Sequence, residues 1–252
     1  MAKVYFIGAG PGDPELITVK AARVIGSAGV IIYAGSLVNR EILRYARETA
    51  RVYNSAGLTL EEILDIITGA VARGETVARI HSGDPSLYGA IREQMALLEQ
   101  RGIPCQVIPG VSSFLAAAAA LQRELTVPGA SQTVIITRLE GRTAVPREED
   151  LASLARHRSS MCIFLSVHMI ENVVEKLLAG YPPETPAAVV AKASWPEEKV
   201  VRGDLRCIAR LAREAGIDKT ALIMVGDFLT AAGKRSRLYD KNFAHGCRGK
   251  RP

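Results

Sequence analysis

The first half of the chain alternates short apolar segments with longer segments of helical periodicity. The apolar runs at 4–8, 30–34, 76–81 and 105–108 are predicted strands. Such runs, apolar throughout rather than at every second position, are typical of strands that are buried on both faces. Strands that alternate with helices predict an open, mostly parallel sheet covered by helices, so the fold class is α/β.

Capping residues define the helices between these strands. Asp13 and Pro14 predict a helix start, and that helix is expected to run to about residue 28. Asn39 predicts the start of a short helix that ends near residue 45. Thr59 and Glu62 form a capping box. Further helices are predicted at 59–74, 89–101 and 112–121.

A turn-forming stretch around Pro128 and Gly129 divides the chain. After it, strands are predicted at 133–137, 161–165, 187–193, 199–201 and 221–226, and helices at 148–157, 170–179 and 205–215. We therefore expect an N-terminal α/β domain at 1–121, a linker at 122–132, a C-terminal α/β domain at 133–233 and a basic tail at 234–252.

Composition narrows the class of protein. The chain has 252 residues and is 48% hydrophobic and 23% charged, the balance of an ordinary globular protein. No apolar run is long enough for a signal peptide or a membrane span, which predicts a cytoplasmic protein with no membrane partner. The four cysteines and four histidines are scattered, so no metal site is predicted.

The net charge of +6 belongs to the tail, because residues 1–233 contain equal numbers of basic and acidic side chains. A solvated terminus is the simpler interpretation of this tail, and contact with an anionic partner is the alternative. A nucleic-acid substrate would favour a basic body, so we expect no nucleic-acid partner.

A glycine loop, Gly8-Ala9-Gly10-Pro11-Gly12-Asp13, follows the first strand. Its placement is that of a dinucleotide-binding loop, but the third glycine of G-x-G-x-x-G is replaced by Asp13. The second strand also ends without an acidic residue for a ribose. Pro11 offers no amide to a phosphate. A nucleotide-binding oxidoreductase is therefore a disfavoured alternative, and the loop alone indicates only a tight turn.

Two further motifs follow the third and fourth predicted strands, namely Ser82-Gly83-Asp84-Pro85-Ser86-Leu87-Tyr88-Gly89 and Pro109-Gly110-Val111-Ser112-Ser113. Together with Gly10-Pro11-Gly12-Asp13, they resemble the tetrapyrrole methylase family, the class III S-adenosylmethionine methyltransferases. The resemblance runs from residue 4 to about residue 229. It implies two α/β domains with a cleft between them, a homodimer, and a tetrapyrrole substrate.

Two stretches narrow the resemblance within this family. Residues 32–38, and residues 124–128 leading to 131–138, are similar to the members that methylate C11 of precorrin-4 or cobalt-precorrin-4 during cobalamin biosynthesis. Methylation of another tetrapyrrole position, as in uroporphyrinogen III or precorrin-2, is the alternative. The sequence leaves open whether the substrate already contains cobalt.

The resemblance also implies S-adenosyl-L-methionine as methyl donor and S-adenosyl-L-homocysteine as product. The residues that it implies for cofactor binding are Pro11, Ser82, Gly83, Asp84, Leu87, Ser112, Ser113, Ser166, Ala193, Thr220 and Ala221.

Substrate and proton-transfer residues are predicted from chemistry. Corrin precursors carry many carboxylates, which favours arginine and lysine near the ring. The candidates for these contacts are Arg138, Arg79, Arg40 and Lys192. The catalytic base is left unassigned, with Asp84 and Tyr88 as candidates. Trp195, the only tryptophan, is expected either to flank the substrate or to anchor a loop.

Overall fold

A computed structural model of the protein describes residues 3–141, 143–233 and 243–244. The chain divides into two compact units. The first extends to Ala117 and also includes Lys192–Glu198, and the second comprises Ala118–Ala191 and the chain from Lys199 onward. Apart from Phe243 and Ala244, the predicted basic tail at 234–252 lies outside the described residues.

The first unit contains a five-stranded sheet in the order β3-β2-β4-β1-β5, and every neighbouring pair is parallel. This confirms the parallel sheet that the alternating pattern predicts. Strand β3 was not predicted, because it is a four-residue edge strand whose Arg51 and Val52 are exposed and carry no apolar signal of a buried strand. The strands are β1 (Val4–Gly8), β2 (Val30–Tyr33), β3 (Arg51–Asn54), β4 (Val77–His81) and β5 (Cys105–Ile108).

Four α-helices and three short 3₁₀ helices accompany this sheet. The α-helices are α1 (Val19–Ser27), α2 (Leu60–Ala72), α3 (Ile91–Gln100) and α4 (Ser113–Leu121), and the 3₁₀ helices are Pro14–Leu16, Arg40–Tyr45 and Ser55–Gly57. The predicted caps are confirmed at Asn39 and in the capping box of Thr59 and Glu62. The single helix predicted from residue 13 to 28 is wrong. Asp13 caps only a 3₁₀ turn, and the extended Thr18 caps α1 separately.

Side chains on successive strand residues point to opposite faces of the sheet, which produces two apolar layers. On one face, Phe6 and Val77 pack with Leu64, Ile67 and Leu98 of α2 and α3. On the other face lie Ile7, Ile31 and Ile80, packed with Ile25 and Ile42. The strand ends are thereby held in place by core residues on both sides.

The second unit contains a mixed sheet in the order β6-β7-β10-β8-β9. Only β6 and β7 are parallel, whereas the other neighbours are antiparallel. The strands are β6 (Val134–Arg138), β7 (Ser160–Phe164), β8 (Pro186–Ala191), β9 (Lys199–Asp204) and β10 (Ala221–Val225). The helices are α5 (Leu151–Ala155), α6 (Ile170–Leu177) and α7 (Ile208–Glu214), with 3₁₀ turns at Arg147–Glu149, Val167–Met169 and Asp227–Leu229.

The predicted linker at 122–132 packs on the second unit. The buried hydroxyl of Ser160 donates to the Leu125 carbonyl at 2.6 Å, and the Ser160 amide donates to Ser131 Oγ at 3.1 Å. Arg202 donates to the Leu121 carbonyl at 3.2 Å. The division between the units therefore lies inside α4, at Ala117 and Ala118, rather than in the Pro128–Gly129 stretch.

Within the described part of the chain, no helix is long and apolar enough to cross a membrane. The same residues contain no cluster of histidine, cysteine and carboxylate side chains that could hold a metal ion.

Candidate functional site

Three glycines bring the carboxyl ends of β1, β4 and β5 into backbone contact. A Cβ atom on Gly8 would lie 2.5 Å from the Gly83 carbonyl oxygen and 2.6 Å from Gly110 Cα. A Cβ atom on Gly110 would lie 2.2 Å from the same Gly83 oxygen. Only glycine permits so close an approach of backbones. The sheet edge therefore presents backbone groups, with side chains excluded from its centre.

The glycine loop pairs directly with the motif that follows β4. The Gly83 amide donates to the Gly10 carbonyl at 2.8 Å, and the Gly10 amide donates to the Gly83 carbonyl at 3.3 Å. Both glycines have positive φ angles, of 81° for Gly10 and 61° for Gly83. This isolated pair of hydrogen bonds is an antiparallel bridge, and it joins the two loops just beyond the ends of the parallel strands.

Asp84 connects the motifs that follow β4 and β5. Its Oδ1 accepts from the Ser86 amide at 2.8 Å, and its Oδ2 accepts from the Gly110 amide at 2.9 Å. Both carboxylate oxygens are thus engaged with backbone amides. Asp84 was predicted as a cofactor contact and as a candidate base, and its two backbone hydrogen bonds favour holding the loops over proton transfer.

Side chains from other segments hold the glycine loop at its carbonyls. The Asn39 amide donates to the Gly12 carbonyl at 2.9 Å, and the Trp195 indole donates to the Pro11 carbonyl at 2.9 Å. The sequence singled out Asn39 only as a helix cap. Its second role has no local sequence signal, because it depends on where the loop after β2 lies.

Other predicted cofactor residues of the first unit follow the same strand ends. Ser112 is buried, and its Cα lies 3.6 Å from the position of a Cβ on Gly83. Leu87 belongs to the turn after β4, where its amide donates to the Asp84 carbonyl at 3.2 Å. Tyr88, the second candidate base, is 45% exposed and has a φ of 54°. The strand ends thus bring together Pro11, Ser82, Gly83, Asp84, Leu87, Ser112 and Ser113.

Predicted cofactor residues beyond α4 are distributed over both units. Ala193 is buried and belongs to the first unit. Thr220 is exposed with a φ of 50° and immediately precedes Ala221, the first residue of β10. Ser166 follows β7, and its hydroxyl is fully buried. That hydroxyl accepts from the Leu139 amide at 2.8 Å and donates to the Phe164 carbonyl at 2.6 Å.

Leu165, next to Ser166, was not predicted as a site residue. It has a φ of 54° and is 55% exposed although it is a large apolar side chain. Left-handed conformations of non-glycine residues are uncommon and concentrate at functional sites. Leucine gives no sequence signal for this conformation.

The family model of the Tetrapyrrole (Corrin/Porphyrin) Methylases matches residues 3–209. The chain belongs to this family. Among curated relatives, the cobalt-precorrin-4 C(11)-methyltransferase of Methanocaldococcus jannaschii is 56% identical over 96% of this chain and 95% of its own. The precorrin-4 C(11)-methyltransferase of Rhodococcus erythropolis is 50% identical over 91% of this chain and 93% of its own.

Solved structures support the same assignment of this tetrapyrrole methylase. The X-ray structure of a cobalt precorrin-4 methyltransferase matches with a TM-score of 0.89 and 44% identity, covering 91% of this chain and 96% of that one. The uroporphyrin-III C-methyltransferase of Thermus thermophilus, solved with S-adenosylhomocysteine, matches with a TM-score of 0.75 and 29% identity, covering 91% and 94%. The methyl donor of tetrapyrrole methylases is S-adenosylmethionine.

In this methylase, Arg79 lies in the interior rather than at a surface that meets substrate. Its side chain is 5% exposed and donates to Gln94 Oε1 at 3.2 Å and to Ser55 Oγ at 3.1 Å. Burial lowers the pKa of Arg79 to about 10. The predicted contact of Arg79 with substrate carboxylates is therefore disfavoured, because the guanidinium is committed to neutral partners in the core.

His81 follows Arg79 on the same face of β4 and stacks on Phe6, with ring centroids 5.9 Å apart. Within the described part of the chain, its buried Nε2 has no hydrogen-bond partner. Burial, together with the neighbouring Arg79 charge, lowers the pKa of His81 to about 3. This histidine is therefore neutral at physiological pH.

The remaining substrate candidates differ in how far their charges are engaged. Arg138 ends β6 and donates to the carbonyls of Thr143 at 3.0 Å and Ala144 at 2.7 Å, so it braces the loop after the strand. Arg40 is exposed on the 3₁₀ helix that follows β2. The Lys192 ammonium lies 5.6 Å from the Trp195 ring centroid.

Proposed function

We propose that this chain transfers a methyl group from S-adenosylmethionine to C11 of precorrin-4 or cobalt-precorrin-4. The observation that carries this proposal is the 56% identity to a cobalt-precorrin-4 C(11)-methyltransferase over 96% of the chain. The match to the corresponding X-ray structure, with a TM-score of 0.89, supports it further.

The strand-end edge of the first unit suits a ligand that has no phosphate. Because Gly8 and Gly110 have no Cβ and pack directly against neighbouring backbone, the strand ends present backbone amides and carbonyls to an adenosine or amino-acid group. The absence of an amide on Pro11 costs nothing when no phosphate has to be bound. We propose that the cofactor is held by Pro11, Ser82, Gly83, Asp84, Leu87, Ser112 and Ser113, and by Ser166, Ala193, Thr220 and Ala221 from the rest of the chain.

When bound, S-adenosylmethionine supplies an electrophilic methyl group on a cationic sulfonium. The ring carbon attacks this methyl, S-adenosylhomocysteine departs, and the ring system loses a proton. The residues of the chain contribute mainly by orientation, for which effective molarities of about 10⁵–10⁸ M are available. Both carboxylate oxygens of Asp84 accept from backbone amides, and Asp84 and Tyr88 both stay candidates for the proton acceptor.

For the substrate, we propose that exposed cations meet the peripheral carboxylates. Arg40 is the foremost of these, since it is exposed on the segment that also supplies Asn39 to the glycine loop. Lys192 is a second candidate. Its side chain is 43% exposed, and its ammonium lies 3.8 Å from the Glu197 carboxylate. Arg138 would act chiefly through the loop that it braces.

The experiment offers four ring substrates in parallel. The protein is incubated with S-adenosylmethionine carrying a ¹³C-labelled methyl and with cobalt-precorrin-4, precorrin-4, precorrin-2 or uroporphyrinogen III. We expect one added methyl on a precorrin-4-type ring by mass spectrometry, placed at C11 by NMR. A methyl on precorrin-2 or uroporphyrinogen III instead would contradict the proposal in favour of the alternative. The two precorrin-4 arms decide whether cobalt is required.

We further propose a homodimer in the cytoplasm, supported by the family resemblance. Light scattering after size-exclusion chromatography tests the first point, with the mass of a single 27.1 kDa chain as the contradicting result. Fractionation of cells that express the full chain tests the second.

A further inference from the structure

The loop between β8 and β9 belongs to the first unit, although the two strands that flank it belong to the second. Strands β8 and β9 are antiparallel neighbours, with Ala191 paired to Lys199, and seven residues connect them. Hairpin connections usually need only two to five residues. We name the segment Lys192–Glu198 the tryptophan loop. Its extra length is used to reach the glycine loop.

The tryptophan loop is braced internally. The Trp195 amide donates to the Lys192 carbonyl at 2.9 Å, and the Glu198 amide donates to the Trp195 carbonyl at 3.0 Å. The Glu198 carboxylate also accepts from the Ser194 amide at 2.7 Å. Lys192 and Ser194 both have positive φ angles, of 47° and 69°. Such conformations persist only where surrounding contacts hold them, which indicates a segment built for one shape.

Three contacts join the tryptophan loop to the glycine loop. The Trp195 indole Nε1 donates to the Pro11 carbonyl at 2.9 Å, and the Asp13 amide donates to Ser194 Oγ at 3.0 Å. Between them, the indole ring occupies the space beside Gly12. A Cβ atom on Gly12 would lie only 2.0 Å from Trp195 Cδ1. The glycine at position 12 is thus required by the tryptophan, since it does not have the positive φ of Gly10.

The glycine loop depends on such outside contacts for its shape. Pro11 has no amide to donate. Among the described residues, backbone–backbone hydrogen bonds are made by Gly10 and Asp13 but by neither Pro11 nor Gly12. The Pro11 carbonyl accepts from Trp195 and the Gly12 carbonyl from Asn39. Removing the indole donor would leave the Pro11 carbonyl without its partner and the Gly12 backbone without its wall.

We propose that Trp195 is a positioning residue, whose indole N–H and ring hold Pro11 and Gly12 in the conformation that receives the methyl donor. This inference rests on the proposed function, because it takes the glycine loop to be part of the cofactor site. The Trp195 ring is held in turn by a cation–π contact with the Lys192 ammonium, which lies 5.6 Å from the ring centroid. Trp195 acts through the loop and takes no part in the chemistry.

The first test measures cofactor affinity in Trp195→Phe, which retains an aromatic ring but loses the donor. By calorimetry, we expect the Kd for S-adenosylhomocysteine to rise about fivefold to tenfold, the effect of losing one partly buried hydrogen bond. The KM for S-adenosylmethionine rises in parallel, while kcat at saturating donor stays within about twofold. The matched control is Tyr181→Phe, which removes an aromatic donor from the Ser159 carbonyl in the second unit and is expected to leave the Kd unchanged.

The second test is a double-mutant cycle between Gly12 and Trp195. Gly12→Ala alone is expected to weaken S-adenosylhomocysteine binding at least tenfold, because its methyl group meets the indole. In the Trp195→Ala background the same substitution costs less than about twofold more, since the obstructing ring is gone. Equal losses in both backgrounds would refute the contact as the source of the effect.

The third readout is fluorescence, because Trp195 is the only tryptophan of the chain. Titration of the wild-type protein with S-adenosylhomocysteine is expected to change the emission with the same Kd as calorimetry. Wild-type protein that binds no S-adenosylhomocysteine would contradict the proposed function itself. Wild-type binding that Trp195→Phe and Gly12→Ala both retain unchanged would overturn only the role of Trp195. Melting temperatures of all variants identify any that fail to fold.

Discussion

The carboxylate of Asp84 accepts a hydrogen bond from the Gly110 amide at 2.9 Å and so spans the end of β1. Asp84 follows β4 and Gly110 follows β5, and β1 lies between these two strands in the sheet. Gly8 ends β1 directly between the two connected backbones. The Asp84–Gly110 hydrogen bond and the close packing of Gly8 therefore fix the loops after β1, β4 and β5 relative to one another.

Asp84→Asn tests whether this bridge positions the loops. One carboxylate oxygen becomes an amide nitrogen, which can accept from neither Ser86 nor Gly110, so one of the two charge-assisted hydrogen bonds, of about 1.5–3 kcal/mol, is lost. We expect the Kd for S-adenosylhomocysteine to rise about tenfold, while kcat at saturating donor changes only a few-fold. Asp65→Asn, an exposed carboxylate on α2, is the control. A kcat that collapses while binding is preserved would instead identify Asp84 as the base.

Gly8→Ala tests the close approach of the strand ends. The added methyl would lie 2.5 Å from the Gly83 carbonyl oxygen, and the atoms that it meets are backbone atoms held by the sheet. We expect a loss of about 1–3 kcal/mol in stability, together with weaker binding of S-adenosylhomocysteine. Gly57→Ala is the matched control, because a Cβ there has no neighbour within 4 Å. In thermal unfolding, we expect Gly8→Ala to melt at a lower temperature than Gly57→Ala. Equal melting temperatures would contradict the predicted clash of the added methyl group with the Gly83 and Gly110 backbone.

His81 predicts a loss of stability in mild acid. Its pKa in the folded protein is about 3, below the value of about 6.5 in an unfolded chain, so the unfolded chain takes up a proton first as the pH falls. The contribution of neutral His81 to the free energy of unfolding is complete above about pH 6.5. Below that pH it decreases by at most about 1.4 kcal/mol per pH unit. His81→Phe should therefore show a smaller drop in melting temperature between pH 7 and pH 5 than the wild type. His157→Gln, at an exposed histidine, should behave like the wild type, and parallel curves for all three proteins would contradict the prediction.

Ser166→Ala separates a structural hydroxyl from a ligand contact. The variant leaves the Leu139 amide without its acceptor in a fully buried position, at a cost of about 1–3 kcal/mol. We expect a lower melting temperature with the Kd for S-adenosylhomocysteine unchanged within about twofold, because any cofactor contact here would be made by the backbone. The control is Ser27→Ala, whose hydroxyl is exposed. A large loss of affinity in Ser166→Ala would show that the side chain binds the cofactor.

Local signals predicted most elements of the fold. The capping box of Thr59 and Glu62 and the cap at Asn39 work within a few residues of the chain, and both are confirmed. The helix expected from residue 13 to 28 shows the limit of such signals, since Asp13 and Thr18 each cap a separate segment. The mixed strand directions of the second sheet could not be predicted from the pattern, because strand direction depends on which distant strand becomes the neighbour.

The sequence by itself determined the strand–helix alternation, the three strand-end motifs and hence the family, because these depend on residues close together in the chain. Only the tertiary structure decided what the motif residues do to one another. It placed Arg79 in the core, joined Asp84 to Gly110, and brought Trp195 to Pro11 across 184 positions of sequence. Such contacts follow from where the sheet places each strand end, and no periodicity or cap encodes that. The indole of Trp195 explains why position 12 is glycine, which the sequence of the loop alone could not.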